Sequence, residues 1–171
     1  MAADIGKITK AMNYFQTHSI ELGILGTGNS VPGLSGETEE ERTILEYATK
    51  LEFGSSKFKP FGFFRNAIES NEQEIQNKVE DIINEVLAGN LDGRPACMQL
   101  GEFLRGLVVE SIATAGTWAR PVSSKYAKWK AKNYPNRAGQ TLILNGFLIK
   151  SIRYKIKKDE NVVFTSDWAE I

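Results

Sequence analysis

Four aromatic rings lie within residues 58–64, a short segment that shows neither helical nor strand periodicity and also contains Pro60 and Gly62. A helical pattern ends just before it at Gly54, where the absence of a Cβ permits the left-handed conformation that terminates many helices. Another amphipathic pattern begins directly after it. Aromatic rings beside proline and glycine are typical of a buried corner that holds two elements together, so we expect these rings to be structural. They are Phe58, Phe61, Phe63 and Phe64.

The segments around this corner predict a mainly helical chain. Apolar residues recur at spacings of three and four over residues 5–17, 38–53, 63–87 and 96–114. A capping box of Thr38 and Glu41 begins the second of these helices. The third is the longest, with one apolar stripe from Ile68 to Leu87, and Gly89 ends it before a turn over residues 92–95. The second helix should bury Ile44, Leu45, Ala48 and Leu51.

Three short segments predict strands. Residues 19–25 alternate apolar and polar side chains at first, and residues 153–157 and 162–165 flank a polar turn, which is the pattern of a β-hairpin. Residues 141–152 return to helical spacing and predict a short helix. Several helices with few strands predict the α+β class: a small antiparallel β-sheet packed against several α-helices, with extended loop arms.

We predict a single α+β domain over residues 1–171 that carries two arms. The first is a flexible loop around residues 26–37, rich in Gly, Ser, Asn and Pro. It contains Gly26-Thr27-Gly28, but the lysine and the serine or threonine of a phosphate-binding loop do not follow, so we expect no nucleotide site there. The second is a basic aromatic arm around residues 116–139.

Composition narrows the classes of function. Lysine and arginine together number 21, as do aspartate and glutamate, so the neutral chain has no global attraction to nucleic acid or to a membrane surface. One cysteine, Cys97, and one histidine, His18, exclude an intrachain disulfide and a catalytic pair of histidines. No apolar run approaches the roughly 20 residues of a membrane span, and the N-terminal residues lack the order of a signal peptide. We therefore expect synthesis in the cytoplasm.

Catalytic signatures are also missing from the sequence. It contains no Gly-x-Ser-x-Gly elbow, no His-Glu-x-x-His pair and no paired carboxylates in an apolar setting. We expect a protein without catalytic residues, cofactor or metal. The alternative that remains is an enzyme whose catalytic carboxylates come together from distant positions in the sequence.

The basic aromatic arm supplies the candidate interaction residues. Alternating rings and cations can stack nucleic-acid bases and neutralise phosphates, but they can equally anchor a protein interface. Because nothing else in the chain supports a broad nucleic-acid footprint, we favour protein contact and keep a nucleic-acid-binding accessory protein as the alternative. The candidates are Trp118, Arg120, Lys125, Tyr126, Lys128, Trp129 and Lys130.

Two sequence blocks resemble the tailed-phage virion-morphogenesis proteins, the tail-completion or head–tail joining family of neck and minor tail components. The first block covers residues 44–67, with Tyr47-Ala48, Leu51-Glu52-Phe53-Gly54 and Pro60-Phe61 through Phe64-Arg65-Asn66-Ala67. The second has Trp118-Ala119-Arg120-Pro121-Val122-Ser123, Tyr126-Ala127 and Lys130, then residues 141–148 and 151–154. Lys59 stands where the family usually has arginine, and Asn145 where it usually has threonine.

The resemblance implies a structural virion protein of a phage, or of a phage-tail-like particle, at the neck or upper tail. Such subunits commonly form rings, here expected to be hexameric, that complete or terminate the tail and join it to the head. The implied partners are further copies of the chain, the tail tube or tail terminator, and the head–tail connector proteins. Transient contact with passing genomic DNA is a further option, and no membrane partner is expected. The implied location is the virion, after assembly in the host cytoplasm.

Overall fold

Helices make up most of the described chain. The structure, a computed structural model, describes residues 5–25, 38–56, 59–143 and 146–167, without the side chains of residues 38–43 and 137. Its elements are α1 (Ile5–Thr17), β1 (His18–Ile24), α2 (Thr38–Phe53), α3 (Phe63–Glu69), α4 (Glu72–Leu87), α5 (Gly93–Ala113), α6 (Ala115–Trp118), α7 (Ser124–Asn133), a 3-10 turn (Pro135–Arg137), α8 (Phe147–Ser151), β2 (Ile152–Lys158) and β3 (Asn161–Thr165). The predicted α+β class is confirmed. The predicted loop around residues 26–37 and the side chains of the predicted Thr38–Glu41 capping box lie outside what is described.

The three strands form an antiparallel sheet in the order β1-β2-β3. The β1–β2 register pairs Ile20 with Ile156 and Leu22 with Tyr154, and these side chains contribute to the apolar core beneath α5. On the alternate positions, Glu21 forms ion pairs of 2.8 Å with Lys155 and 3.0 Å with Lys157. The sheet therefore has one apolar and one charged face, and the predicted hairpin of β2 and β3 is confirmed.

Helix α5 is the element that joins the sheet to the other helices. It packs against β1 and β2 on one side and against α1, α3 and α4 on others. The contact with β2 is unusually close at Gly101, because a Cβ built there would overlap the ring of Tyr154. The absence of a side chain at this position lets the helix axis approach the sheet.

The aromatic corner predicted between α2 and α3 is confirmed. Gly54 ends α2 with a φ of 82°, and the carbonyl oxygen of Leu51 accepts hydrogen bonds from the amides of Phe61 (2.7 Å) and Gly62 (3.3 Å). The ring of Phe63 is completely buried in the largest core cluster. Phe61 and Phe64 are half-buried against that cluster, and Phe58 lies outside the described residues.

The buried carboxylate of Glu52 fastens the same corner from the end of α2. Its Oε2 accepts a hydrogen bond from the amide of Phe64 at 2.9 Å, and its Oε1 accepts one from Arg65 at 3.1 Å. These amides belong to the first turn of α3, where backbone N–H groups have no partner within the helix. A carboxylate there satisfies two donors and complements the positive end of the helix dipole.

The prediction of one continuous helix over residues 63–87 is wrong. The segment forms two helices, α3 and α4, which are separated by Ser70 and Asn71. The Asn71 Nδ2 donates to the carbonyl oxygen of Ala67 at 2.8 Å, a local side-chain bond of the kind that competes with helical pairing. The apolar stripe is also narrower than predicted, since Ile68, Ile83 and Leu87 are exposed.

Three further boundaries or burials differ from the sequence prediction. Residues 93–95, predicted as part of a turn, form the first turn of α5, where proline is tolerated because its missing N–H would have no helical partner. Leu45, predicted to be buried, is exposed. Of the described residues in the helix predicted over 141–152, only Phe147–Ser151 is helical, although Leu142 and Leu148 are buried as expected for a core segment.

We expect Gly101→Ala to lower the free energy of unfolding by about 1–3 kcal/mol, because the new methyl group overpacks the α5–β2 contact. Gly106→Ala is the matched control on the same helix, since a Cβ there meets nothing within 4 Å. It should raise stability by about 0.5–1 kcal/mol through lower backbone entropy in the unfolded chain. Urea denaturation measures the stability change of each variant. Equal changes for the two variants would contradict the close approach of α5 to β2 at Gly101.

Replacing Glu52 with Gln should lower the free energy of unfolding by about 1–3 kcal/mol. The neutral amide oxygen accepts one of the two hydrogen bonds more weakly, and the amide NH2 group, itself a donor, cannot accept the second backbone N–H. Glu46→Gln, at an exposed position on the same helix, should change stability by less than about 0.5 kcal/mol. The measurement is again urea denaturation. A Glu52→Gln variant as stable as Glu46→Gln would show that the corner does not depend on the carboxylate.

Candidate functional site

The two sequence blocks meet in space around one cleft of about 420 Å³. It opens between the C-terminal half of α2, the aromatic corner, the segment that leads into α7 and the segment before α8. The first block contributes Tyr47, Leu51 and Phe61. The second contributes Arg120, Val122, Ser123, Tyr126, Thr141 and Leu142.

Arg120 ties the two blocks together. Its guanidinium carbon lies 4.2 Å from the centroid of the Phe61 ring, and its Nη2 donates a hydrogen bond of 2.6 Å to the carbonyl oxygen of Lys59. Its buried Nε has no hydrogen-bond acceptor among the described residues. The guanidinium thus stacks on one block while it belongs to the other.

The neighbouring segment also positions α7 at the edge of the cleft. The Ser123 hydroxyl accepts a hydrogen bond from the amide of Tyr126 and so caps the start of α7. Tyr126 then lines the cleft on one side and stacks on Trp129 on the other, with 5.6 Å between ring centroids. Cleft and helix are therefore one continuous surface.

Two tyrosines that line the cleft, Tyr47 and Tyr126, have raised pKa values. Tyr47 is 41% exposed as a whole residue, yet desolvation of its hydroxyl by neighbouring residues and the nearby Tyr126 together raise the pKa of Tyr47 to about 12. Desolvation also raises the pKa of Tyr126 above its ordinary value. Both phenols are neutral hydrogen-bonding groups at physiological pH.

An exposed aromatic row continues from the cleft along α7. It consists of Tyr126, Trp129 and Tyr134, with 5.7 Å between the last two ring centroids. Trp129 is 46% exposed and Tyr134 37%. Large half-exposed rings are the side chains that most often anchor binding partners.

Residues 116–139 do not form the extended arm that we predicted. Much of this segment is helical, and part of it packs against the core. Lys130, predicted as an interaction residue, is 1% exposed, and its ammonium donates to the carbonyl oxygen of Gln140. Trp118 is half-buried against the largest core cluster, and its Nε1 donates to the carbonyl oxygen of Ser111 at 3.0 Å. Of the candidate residues, Lys125, Lys128 and Trp129 are exposed on α7, whereas Arg120 and Tyr126 lie in the cleft.

Glu52 and Tyr47 are the residues of this region whose roles the sequence analysis missed. Both belong to the first block, and an acidic residue two positions before the helix-ending Gly54 is a weak signal of a cap for a neighbouring helix. The composition of α2 gives no indication that Tyr47 faces a cleft, because that depends on where α7 packs.

No constellation for catalysis is evident in the described chain. His18 stacks on Tyr14 with ring centroids 3.5 Å apart, and its Nδ1 lies 2.9 Å from the carbonyl oxygen of the same residue. Cys97 is buried, and burial raises the pKa of its thiol. Within residues 5–25, 38–56, 59–143 and 146–167 there is no group of three His, Cys, Asp or Glu side chains suited to a metal ion. Nor does any helix of those ranges have the length and apolar content to cross a membrane.

Comparison of the chain with protein-family models, with curated proteins and with solved structures gave no match.

We expect Tyr47→Phe to reduce the loss of stability as the pH rises from 10 to 12. The Tyr47 pKa is raised from 10.0 to about 12 in the folded protein, so over this range the unfolded chain releases a proton that the folded protein keeps. The contribution of the protonated Tyr47 to the free energy of unfolding is therefore fully present below pH 10 and is lost as the pH rises towards 12. Urea denaturation at several pH values from 10 to 12 measures the free energy of unfolding, with Tyr134→Phe as the control variant. Parallel plots of this free energy against pH for the wild type and Tyr47→Phe would show that the folded protein does not raise the pKa of Tyr47.

Proposed function

We propose that this chain is a structural subunit of the neck or upper tail of a phage or phage-tail-like particle, where it forms a ring that completes or terminates the tail and joins it to the head. The observation that carries the proposal is the convergence of the two blocks on one cleft. Here Arg120 of the second block stacks on Phe61 of the first.

A structural role also fits the distribution of the polar groups. The cations of the cleft region are mostly engaged in fastening backbone: Arg120 binds the carbonyl of Lys59 and Lys130 that of Gln140. The aromatic row remains half-exposed beside them. A cleft with an exposed aromatic edge suits a partner protein that inserts a side chain or segment, and rings are built from such contacts between unlike surfaces.

A nucleic-acid-binding accessory protein is the second candidate. The exposed lysines of α7 beside Trp129 favour it, since bases stack on exposed rings and lysines neutralise phosphates. The burial of Lys130 and the internal bonds of Arg120 reduce the cations that face a ligand. A salt titration separates the candidates, because affinity that depends on phosphate contacts falls steeply with salt.

Loss of the gene in its native phage or particle locus should leave heads and tails that fail to join or tails of irregular length, as seen by electron microscopy of the lysate. Trp129→Ala should reduce incorporation of the subunit into particles, because it removes the most exposed ring of the aromatic row. Quantification of the subunit in purified particles measures this effect, and circular dichroism checks that the variant is folded.

Val162→Ala is the control, because Val162 is 52% exposed and lies outside both sequence blocks and the aromatic row. Complete, infectious particles after loss of the gene would refute the proposed function. Normal incorporation of Trp129→Ala into particles that need the subunit would refute only the role of the aromatic row. Trp118 is unsuited to this test, because its ring is part of the folded core.

A further inference from the structure

The cleft between the two sequence blocks combines apolar walls with a single charge. Arg120 is the one side chain among its described lining residues that is charged at physiological pH, since both tyrosines are neutral there. The guanidinium forms no ion pair with any acidic side chain that the structure describes. The cleft therefore carries one positive charge without a described counterion. Its apolar walls are Leu51, Phe61, Val122 and Leu142.

Hydroxyl groups supply the remaining polar atoms of the cleft. Those of Tyr47, Tyr126 and Thr141 have no hydrogen-bond partner among the described residues. The Ser123 hydroxyl accepts from the amide of Tyr126, and its own hydrogen remains available to donate. Each of the four hydroxyls can thus donate one hydrogen bond to a group that enters the cleft.

This combination selects an anion with an apolar neighbour. A cationic ligand would be repelled by Arg120, and a wholly apolar one would cover the hydroxyls without offering them an acceptor, which is costly. A carboxylate accepts several hydrogen bonds at once and matches the guanidinium in charge and planarity. A phosphate monoester carries about 1.5–2 negative charges, more than the single cation of the cleft would neutralise.

We propose that the cleft binds an acidic side chain of a partner protein, beside an apolar side chain of the same partner segment that packs on Phe61 and Leu142. A protein segment fits better than a free carboxylic acid, because the cleft continues into the aromatic row along α7. Lys125 and Lys128 on that helix are exposed and form no ion pair with a described residue, so they favour further acidic groups on the segment.

This inference rests on the proposed function, since it gives the chemistry of the segment by which another particle protein would enter the cleft. Nucleic acid matches the cleft less well, because its backbone brings many charges to walls that are apolar apart from one cation.

The test is titration of the isotope-labelled full chain with acetyl-Gly-Phe-Glu-Gly-amide, followed through the NMR chemical shifts of the backbone amides. The control ligand is acetyl-Gly-Phe-Gln-Gly-amide, which has the same shape without the charge. The glutamate peptide should bind about tenfold more tightly, since hydrogen bonds to charged groups are stronger than neutral ones. Its largest shifts should fall at residues 122–126 and 141–142.

Variants of the cleft test the charge directly. Arg120→Gln should abolish the preference for the glutamate peptide, with Arg94→Gln at an exposed position of α5 as its control. Because Arg120 also fastens the two blocks, Thr141→Asp provides a second variant. It places a carboxylate inside the cleft and should weaken binding of the glutamate peptide about tenfold relative to Thr141→Asn, which has the same shape and no charge.

Equal affinities for the two peptides, shifts confined to other regions, or no binding of either at millimolar concentration would overturn the inference. So would equal binding of the glutamate peptide by Thr141→Asp and Thr141→Asn. Shifts of the cleft amides with oligothymidylate but with neither peptide would assign the cleft to nucleic acid instead. Particle assembly after loss of the gene remains the separate test of the proposed function, so the two can fail independently.

Discussion

The carboxylate of Glu52 lies at the first turn of α3, where it accepts hydrogen bonds from the backbone amides of Phe64 and Arg65. One residue earlier, the carbonyl oxygen of Leu51 accepts the amides of Phe61 and Gly62. The end of α2 thereby fixes the direction in which the chain enters α3, and with it the ring of Phe63 in the core. Without these bonds, the part-buried amides of the corner would lose their partners, and leaving such groups unpaired costs more than the bonds themselves stabilise. The cleft depends on the same geometry, because Phe61 is both part of the corner and the surface on which Arg120 stacks.

Ser111 carries this constraint from the corner to the rest of the molecule. Its hydroxyl donates to the carbonyl oxygen of Phe63 at 2.9 Å and accepts from the Asn66 amide, while its own carbonyl accepts the indole N–H of Trp118. One buried residue of α5 is therefore bonded to α3 and to the segment that leads towards α7. Ten residues earlier on the same helix, Gly101 lies against Tyr154 of the sheet. α5 thus relates the sheet, the corner and the cleft to one another through contacts that tolerate little displacement.

Much of the fold followed from periodicity, and its failures have physical causes. The helices around residues 5–17 and 38–53, the early strand and the C-terminal hairpin could be predicted, because each has a periodic pattern with glycine or polar residues at its ends. The break at Ser70 and Asn71 could not, since it depends on side-chain bonds to local backbone rather than on apolar spacing. The cleft was also beyond sequence analysis: the two blocks were identified separately, but their contact depends on how α7 packs. The function and ring stoichiometry implied by the resemblance remain predictions.

Lys130 shows why composition alone could not separate the buried side chains of the basic aromatic segment from the exposed ones. Lys128 and Lys130 are two positions apart in one helix, and a helix turns by about 100° per residue, so they point in widely different directions. Lys130 is buried with its ammonium on a backbone carbonyl, a bond that offsets the cost of desolvating the charge. Lys128 remains exposed beside Trp129. The buried cation fixes the rotation of α7, and that rotation in turn places the remaining lysines and Trp129 on a single outward stripe. The residues that hold the helix and the residues available to a partner are thus interleaved in sequence, and only the helical angle separates them.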